Sequence, residues 1–214
     1  AEGQVLVDLM VRDFKGRIAV ISSFGAESAI LLHMVAKADP STPVIFLDTG
    51  RHFPETLAYR DALIDRLGLK DVRSAYPDRA ALQRHDRDGR LYASDPDSCC
   101  DIRKTEPLAD ALEGFSAWIT GRKRFQGGLR TDLDAIELDR ASGRLKLNPL
   151  ATWAEGELEA YRQAHDLPAH PLVARGYRSI GCATCTRPTQ AGEDARAGRW
   201  SGMDKTECGI HYTI

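Results

Sequence analysis

The sequence predicts an α/β fold in which helices flank a parallel-type sheet. Two buried apolar runs, at 17–23 and 42–47, are each followed by a segment with helical spacing of its apolar residues. Strands that alternate with helices at this spacing are typical of parallel sheets. The chain of 214 residues is long enough to bury the core of one such domain.

The elements follow in order from local patterns. Residues 5–14 have amphipathic spacing, and the run at 17–23 ends in small polar residues, as a buried strand entering a loop does. Pro54 suits the first turn of a helix, and Thr152 with Glu155 forms a capping-box pattern. We therefore expect helices at 5–14, 27–38, 54–67, 99–112 and 152–165, strands at 17–23, 42–47, 69–75 and 117–120, and a hairpin of 135–138 with 145–147.

Composition excludes several classes of function. The net charge of −2 gives no reason to expect nucleic-acid binding, and no apolar run approaches the length of a membrane span. The first residues lack the pattern of a secretory leader, and five cysteines without an even ladder of spacings suit a reducing compartment. We expect a cytoplasmic protein with an α/β domain at 1–190 and an irregular C-terminal tail at 191–214.

Two polar loops follow the first two predicted strands, where parallel sheets bind ligands. The loop Ser22-Ser23-Phe24-Gly25-Ala26-Glu27-Ser28 leads into a helix, and its small residues would let backbone N–H groups approach an anion. It has no Walker lysine, and a tight strand-to-helix turn is an equally good interpretation. Asp48-Thr49-Gly50 could bind a ribose or a base, although these residue types also form ordinary turns.

Four of the five cysteines come in two pairs. Cys99 and Cys100 are adjacent, and Cys182 and Cys185 form a C-x-x-C. Adjacent helical residues point about 100° apart, so an adjacent pair reaches different irons of a cuboidal cluster more easily than one zinc ion. Spacing alone favours an iron–sulfur cluster and leaves structural zinc and a redox disulfide open.

The fifth cysteine, Cys208, stands alone in a polar tail that we expect to be exposed. A nucleophilic thiolate needs positive charge nearby, and the chain offers Lys104, the loop 121–130 and the pair Arg196 and Arg199. Arginines in glycine-rich loops can clamp phosphate or sulfate. The alternatives are solvated arginines and a tail cysteine without a role.

Together these segments resemble the iron–sulfur type of assimilatory adenylyl-sulfate reductases, within the phosphoadenylyl-sulfate reductase family. The resemblance spans about residues 17 to 211 and departs from the family pattern at Ser28, at Ile210 and in the loop that precedes Arg130. The motifs that carry it are Ser23-Phe24-Gly25-Ala26-Glu27, Leu47-Asp48-Thr49-Gly50-Arg51, Cys99-Cys100-x-Ile102-Arg103-Lys104, Trp118-Ile119-Thr120-Gly121, Gly192-Glu193-Asp194-x-Arg196-x-Gly198-Arg199-Trp200 and Glu207-Cys208-Gly209-x-His211.

The resemblance implies a fold like the adenine nucleotide α-hydrolases, with a modified pyrophosphate loop. It implies thioredoxin-dependent reduction of adenosine 5′-phosphosulfate to sulfite and AMP in sulfate assimilation, with thioredoxin or a glutaredoxin-type protein as reductant. The roles that it implies are a [4Fe–4S] cluster on Cys99, Cys100, Cys182 and Cys185; Cys208 as nucleophile; Lys104, Arg130, Arg196 and Arg199 on the phosphosulfate; and a nucleotide site of Ser22, Ser23, Phe24, Gly25, Glu27, Ser28, Leu47, Asp48, Thr49 and Gly50.

Three alternative functions remain beside this one. A reductase of the 3′-phosphorylated nucleotide is the nearest, although members with that substrate usually lack the four paired cysteines. An ATP-dependent enzyme of the same nucleotide fold would need a fuller Ser-Gly-Gly-x-Asp-Ser loop than the sequence has. A cluster-bearing nucleotide sensor would leave Cys208 without a purpose. The sequence leaves the oligomeric state, including a homo-oligomer, open.

Overall fold

A computed structural model of the chain describes residues 2–140 and 142–211. The helices are α1 Gly3–Asp13, α2 Ser28–Ala38, α3 Pro54–Leu67, α4 Arg79–His85, α5 Leu91–Ser94, α6 Pro96–Cys100, α7 Glu106–Ala111 and α8 Glu155–Ala164, with a π-helical turn at Asp101–Thr105. The strands are β1 Ile18–Ser22, β2 Val44–Leu47, β3 Val72–Ala75, β4 Ala117–Ile119, β5 Ile136–Asp139 and β6 Arg144–Leu147. Short 3₁₀ turns lie at Arg124–Gln126, Gly128–Arg130, Val173–Arg175, Ala183–Cys185 and Gly209–His211.

The six strands form one sheet in the order β3-β2-β1-β4-β6-β5. All neighbouring pairs are parallel except β5 with β6, which is the predicted hairpin at one edge. Apolar clusters cover both faces of the sheet, a larger one with α1, α2, α3 and α8 and a smaller one with α7. Burial on both faces explains why β1, β2 and β4 read as continuous apolar runs rather than as alternating patterns.

The helix with the adjacent cysteines begins earlier than the sequence suggested. Asp95 caps α6 by accepting a hydrogen bond from the Ser98 N–H at 3.0 Å, so the cysteines lie at the end of α6 and not at its start. The chain then widens into the π-helical turn directly before Pro107. In a regular α-helix the ring of Pro107 would clash with the carbonyl of Arg103, and the wider turn relieves this.

The predicted start of the last helix was wrong. Helix α8 begins at Glu155, and Glu157 accepts the N–H of Ala154 at 2.8 Å. Thr152 instead donates its hydroxyl to Glu2. The two short helices α4 and α5 were not predicted, because their few apolar residues carry no helical period. Within the described part of the chain, no helix has both the length and the apolar character that crossing a bilayer requires.

The buried His170 should make stability depend on pH. Leu172 N–H donates to His170 Nδ1 at 3.1 Å, and Nε2 lies 3.0 Å from the hydroxyl of Thr56, a pattern that suits the neutral ring. Burial lowers the pKa of His170 to about 4, against the weaker opposing effect of Glu55. Because the unfolded chain binds this proton near pH 6.5, stability is full above that pH and is lost as pH falls towards 4, by about 2 kcal/mol.

The measurement is the thermal midpoint of the wild-type protein and His170→Asn between pH 7 and 4.5. The variant should be less stable at neutral pH and should lose less of its stability on acidification. The exposed His85 provides the matched control, His85→Asn, which should follow the wild type. An equal acid slope in all three proteins would contradict the assignment.

Candidate active site

A cavity of about 190 Å³ opens at the carboxyl ends of the central strands. It lies where the strand order reverses, since β1 has β2 on one side and β4 on the other. The loops that follow β1 and β4 therefore face each other across a crevice, which is the usual place for a ligand in an open parallel sheet. A second, much smaller cavity of about 10 Å³ lies beside it.

The loop after β1 forms one wall of the larger cavity. The Ser22 hydroxyl accepts the N–H of Phe24 at 3.1 Å, and the Ser28 hydroxyl donates to the Gly25 carbonyl at 2.8 Å. Phe24 takes a left-handed backbone with φ 48°, and its ring packs on Phe46 in the core instead of lining the cavity. The predicted residues that do line this wall are Ser22, Ser23, Gly25, Glu27 and Ser28.

The loop after β2 lines the larger cavity with fewer residues than the sequence predicted. Leu47 lines the larger cavity, whereas Asp48, Thr49 and Gly50 are absent from its lining. The Asp48 carboxylate accepts the N–H of Gly50 at 3.0 Å, as in an ordinary turn. Thr49 is buried, and its hydroxyl lies 3.3 Å from the Sγ of Cys182. This loop therefore contacts the cysteine region as well as the larger cavity.

The four paired cysteines, Cys99, Cys100, Cys182 and Cys185, all line the small cavity. Arg103 lines it too and donates to the Thr49 carbonyl and to Asp86, while its buried Nε has no hydrogen-bond partner. Within residues 2–140 and 142–211, no three His, Cys, Asp or Glu side chains converge tightly enough to hold a single metal ion. Four thiols around one enclosed space, with an unpaired N–H donor beside them, fit the donor set of an iron–sulfur cluster.

Cations are concentrated in the larger cavity, whose lining includes Lys104, Arg130, Arg196 and Arg199. Lys104 and Arg199 also line the small cavity, so these two side chains lie between the two sites. Neither has a carboxylate within 4.0 Å in the described ranges, whereas Arg130 and Arg196 both pair with Glu207. Lys104 and Arg199 therefore remain available to an anionic ligand.

Two neighbours pack closely on the guanidinium group of Arg199. Its guanidinium carbon lies 4.4 Å from the centre of the Trp200 ring. It also lies against Gly181, where an added Cβ would come closer than 3.0 Å to three guanidinium atoms. Gly181 directly precedes Cys182, so the absence of a side chain there links the orientation of Arg199 to the cysteine loop.

Cys208 is buried, with 7% of its surface exposed, and the expectation of an exposed tail cysteine was wrong. It packs against Cys100 and Trp200, and it lines the larger cavity. The close fit depends on Gly209, because a Cβ there would lie 2.9 Å from the Thr105 hydroxyl and 3.1 Å from Asp101 Oδ1. The tail can therefore dock directly on the π-helical turn that follows the adjacent cysteines.

The surroundings of Cys208 favour the thiolate. The pKa of Cys208 lies well below the ordinary value for a thiol, first through a hydrogen bond with Cys100 and then through the charges of Lys104 and Arg199, while burial opposes the shift. Lys104 and Arg199 favour the Cys208 thiolate whether or not Cys100 is protonated. The thiolate is thus placed in the cavity next to two cations that could bind an anion.

Sequence reasoning missed several parts of the cavity. His52, one residue after the Leu47–Arg51 motif, lines it, as do Ile180 and Gly181 before the C-x-x-C. Glu27 forms a partly buried ion pair with Lys123, which neutralises one cation of the basic loop. Only adjacency to recognised motifs could have indicated these residues, since each comes from a segment without regular periodicity.

Comparison with known proteins places this geometry in a family. The profile of the phosphoadenosine phosphosulfate reductase domain matches residues 17–188. An adenosine 5′-phosphosulfate reductase of Mesorhizobium japonicum is 54% identical over 200 residues, which cover 94% of this chain and 78% of the relative. A phosphoadenosine 5′-phosphosulfate reductase of Gloeobacter violaceus is 43% identical over 204 residues, covering 94% and 85%.

Solved structures agree with the predicted fold. The crystal structure of the phosphoadenylyl-sulfate reductase of Candida auris, a phosphate complex, superposes with a TM-score of 0.73 at 25% identity and covers 86% of this chain and 90% of that one. The family profile ends before the tail, whereas the relative from Mesorhizobium japonicum aligns with 94% of the chain. The chain belongs to the phosphoadenosine phosphosulfate reductase domain family.

Proposed function

We propose that this chain reduces adenosine 5′-phosphosulfate to sulfite and AMP, in the assimilation of sulfate towards cysteine. The observation that carries the proposal is the meeting of the Cys208 thiol with Lys104 and Arg199 in one cavity at the carboxyl edge of the sheet. The name of the relative from Mesorhizobium japonicum, at 54% identity, supports the choice of nucleotide. A thiolate and a phosphosulfate are both anionic, so their approach needs the positive charge that these side chains supply.

The first step is attack of the Cys208 thiolate on the sulfur of the phosphosulfate. The new S–S bond forms as the bond from sulfur to the bridging oxygen breaks, which leaves Cys208-S-SO₃⁻ and releases AMP. The AMP phosphate is a good leaving group, so no general acid is needed. Lys104 and Arg199 are proposed to hold the phosphosulfate oxygens, and the loop Ser22–Ser28 with Leu47 is proposed to line the nucleotide.

The second step regenerates the thiol. One thiol of a thioredoxin or glutaredoxin-type dithiol attacks the Sγ of Cys208 and displaces sulfite, and its second thiol then releases Cys208 and closes the partner's disulfide. The two electrons come from this dithiol. Because Cys208 is buried in the closed structure, the tail must open before the partner can reach it.

A [4Fe–4S] cluster is proposed at Cys99, Cys100, Cys182 and Cys185, which line one small cavity. Bound there it would join α6 to the C-x-x-C loop and add to the local electrostatic field. Iron and acid-labile sulfide, measured per chain after anaerobic purification, should each be about four. Zinc without iron would contradict the cluster.

The test of the function is turnover by the anaerobically purified protein with a dithiol reductant. Adenosine 5′-phosphosulfate should give sulfite and AMP in equal amounts. The relative from Gloeobacter violaceus, named for the 3′-phosphorylated substrate, is the reason to assay that nucleotide in parallel. A higher kcat/KM for the 3′-phosphorylated nucleotide would assign the chain to the alternative reaction, and retained ATP pyrophosphatase activity would indicate an ATP-dependent enzyme.

Replacing Gly181 with alanine should weaken substrate binding. The added methyl group would displace the Arg199 guanidinium from the Trp200 ring, so the KM for adenosine 5′-phosphosulfate should rise about tenfold. Steady-state kinetics give the result, and the iron content shows whether the cysteine loop is intact. Gly156→Ala, in open space on α8, is the matched control and should behave as the wild type. Unchanged KM in Gly181→Ala would argue against Arg199 as a substrate ligand.

We propose a cytoplasmic location, where a thioredoxin or glutaredoxin-type reductant is available, and a boundary near residue 190 between the α/β domain and the tail. A homo-oligomer is compatible with the proposal and is measured by light scattering.

A further inference from the structure

Glu207 is the most heavily paired carboxylate of the tail. It is 4% exposed, and its two oxygens accept the Nε and Nη2 donors of Arg130 at 2.5 and 2.8 Å. Arg196 adds a third bond at 3.0 Å, and the backbone N–H of Cys208 donates to Oε1 at 2.9 Å. Burial alone would raise the pKa of Glu207, but the two arginines outweigh it and hold the pKa at about 2. The carboxylate is therefore ionised and fixed immediately before the nucleophile.

Arg130 has little capacity left for a second ligand. Its Nε and Nη2 both donate to Glu207, and its Nη1 donates to the side chain of Gln126. It is 6% exposed and belongs to the turn Gly128–Arg130, which follows β4 on the scaffold of the domain. Arg199, in the same cavity, forms no ion pair with a carboxylate in the described ranges and so differs from Arg130 in this respect.

Arg196, which precedes Glu207 by 11 residues within the tail, completes the attachment. Its Nη2 donates to the Thr206 carbonyl and to Glu207, both at 3.0 Å. Arg130 from the domain and Arg196 from an earlier part of the tail thus bind the two residues before Cys208, through the Glu207 side chain and the Thr206 backbone. Charge-assisted bonds of this kind are the strong ones in a desolvated site, so their loss should free the tail.

We infer that Glu207 is a positioning residue whose pairing with Arg130 and Arg196 holds Cys208 in the cavity, and that Arg130 acts through Glu207 and not on the substrate. The consequence for catalysis rests on the proposed function, whereas closure of the tail is a property of the protein without any substrate. Arg196 and Arg199 then have different roles. Arg196 holds the segment that contains Glu207, and Arg199 remains available to the ligand.

The first experiment measures alkylation of Cys208 by iodoacetamide in the anaerobic holoprotein, without nucleotide, with the modified peptide identified by mass spectrometry. Glu207→Gln and Arg130→Gln should both increase the rate about tenfold, since loss of charge-assisted bonds opens the tail. The two substitutions change the local charge in opposite directions, so an effect on the reactivity of the thiolate alone would accelerate one and slow the other. A shared increase therefore reports opening.

The matched control is Glu159→Gln, which breaks a surface pair with Arg162 on α8 and should leave the alkylation rate unchanged. Iron content and the thermal midpoint establish that each variant is folded. Alkylation of Glu207→Gln at the wild-type rate would overturn the inference, as would a slower rate in Arg130→Gln.

The second experiment separates positioning from substrate binding. Arg130→Gln should lower kcat about tenfold and keep the KM for adenosine 5′-phosphosulfate within about twofold, whereas Arg199→Gln should raise KM. A rise in KM as large in Arg130→Gln as in Arg199→Gln would assign Arg130 to the substrate and overturn the inference. If the wild-type protein does not reduce this nucleotide, the proposed function fails, and the alkylation result still decides whether Glu207 closes the tail.

Discussion

Replacing Cys208 with serine should abolish sulfite release, with a loss of about 10⁴-fold or more. A serine hydroxyl needs a general base to become a nucleophile, and the described residues that line the cavity offer only weak bases. His211 lines the same cavity, but burial and four surrounding cations keep its pKa well below the ordinary value. The thiolate, in contrast, is already favoured by Lys104 and Arg199.

The measurement combines steady-state sulfite release with mass spectrometry of the protein after one equivalent of substrate. The wild type should carry one additional SO₃ group on the Cys208 peptide, and Cys208→Ser should carry none. Binding of adenosine 5′-phosphosulfate, followed by calorimetry, should persist because the cations that hold it are unchanged. Asp204→Asn, at an exposed tail position, is the control and should retain full turnover. Wild-type turnover in Cys208→Ser would exclude the covalent mechanism.

The second large effect is expected at Lys104. Burial would lower the pKa of this ammonium, but Cys182, Cys208 and Cys100 raise it above the ordinary value, so Lys104 is charged at neutral pH. It lines both cavities and has no carboxylate partner within 4.0 Å in the described residues, so its charge is directed at the sulfur atoms and at any anion in the crevice. Removing one such donor from a desolvated site typically costs 10²–10³ in rate.

Lys104→Met should therefore lower the single-turnover rate of S-sulfocysteine formation by about 10²-fold. Rapid quenching followed by mass spectrometry gives this rate without interference from the reductant. Lys70→Met, at an exposed position remote from the cavities, is the matched control. A rate within about threefold of the wild type would show that Arg199 alone supplies the charge that the reaction needs.

The sequence carried the information for most of the sheet because its strands are buried on both faces. β1 and β2 follow directly from apolar runs such as Val44–Leu47, and Gly68 ends α3 in the left-handed conformation that favours glycine. The edge at which the two polar loops meet follows from the parallel topology alone. These features are local, or depend on a rule that holds for all such sheets.

The docked tail could not be predicted in the same way. The pairing of Arg130 with Glu207 joins residues 77 positions apart, and neither flank has a regular period. Polar composition suggested an exposed segment, but the ion pairs of Glu207 compensate for the burial of polar groups. The missing side chain of Gly209 permits the close approach of the tail. The spacing of the four cysteines predicted that they act as a set. That they share a cavity with Arg103 depends on the tertiary structure and could not be predicted from spacing.

Trp200 fixes the length of the tether that carries the nucleophile. Its indole is 2% exposed, and its backbone N–H donates to the Cys185 carbonyl at 3.0 Å, so it can stay in place when the residues after it move. From there to Cys208 the extended chain spans at most about 28 Å, which is enough to bring the thiol to the protein surface. A thiol on so short a tether has an effective concentration at its site in the cavity of the order of millimolar. Return of Cys208 to the cavity can therefore compete with its reaction with free reagents, and the open state need not be long-lived.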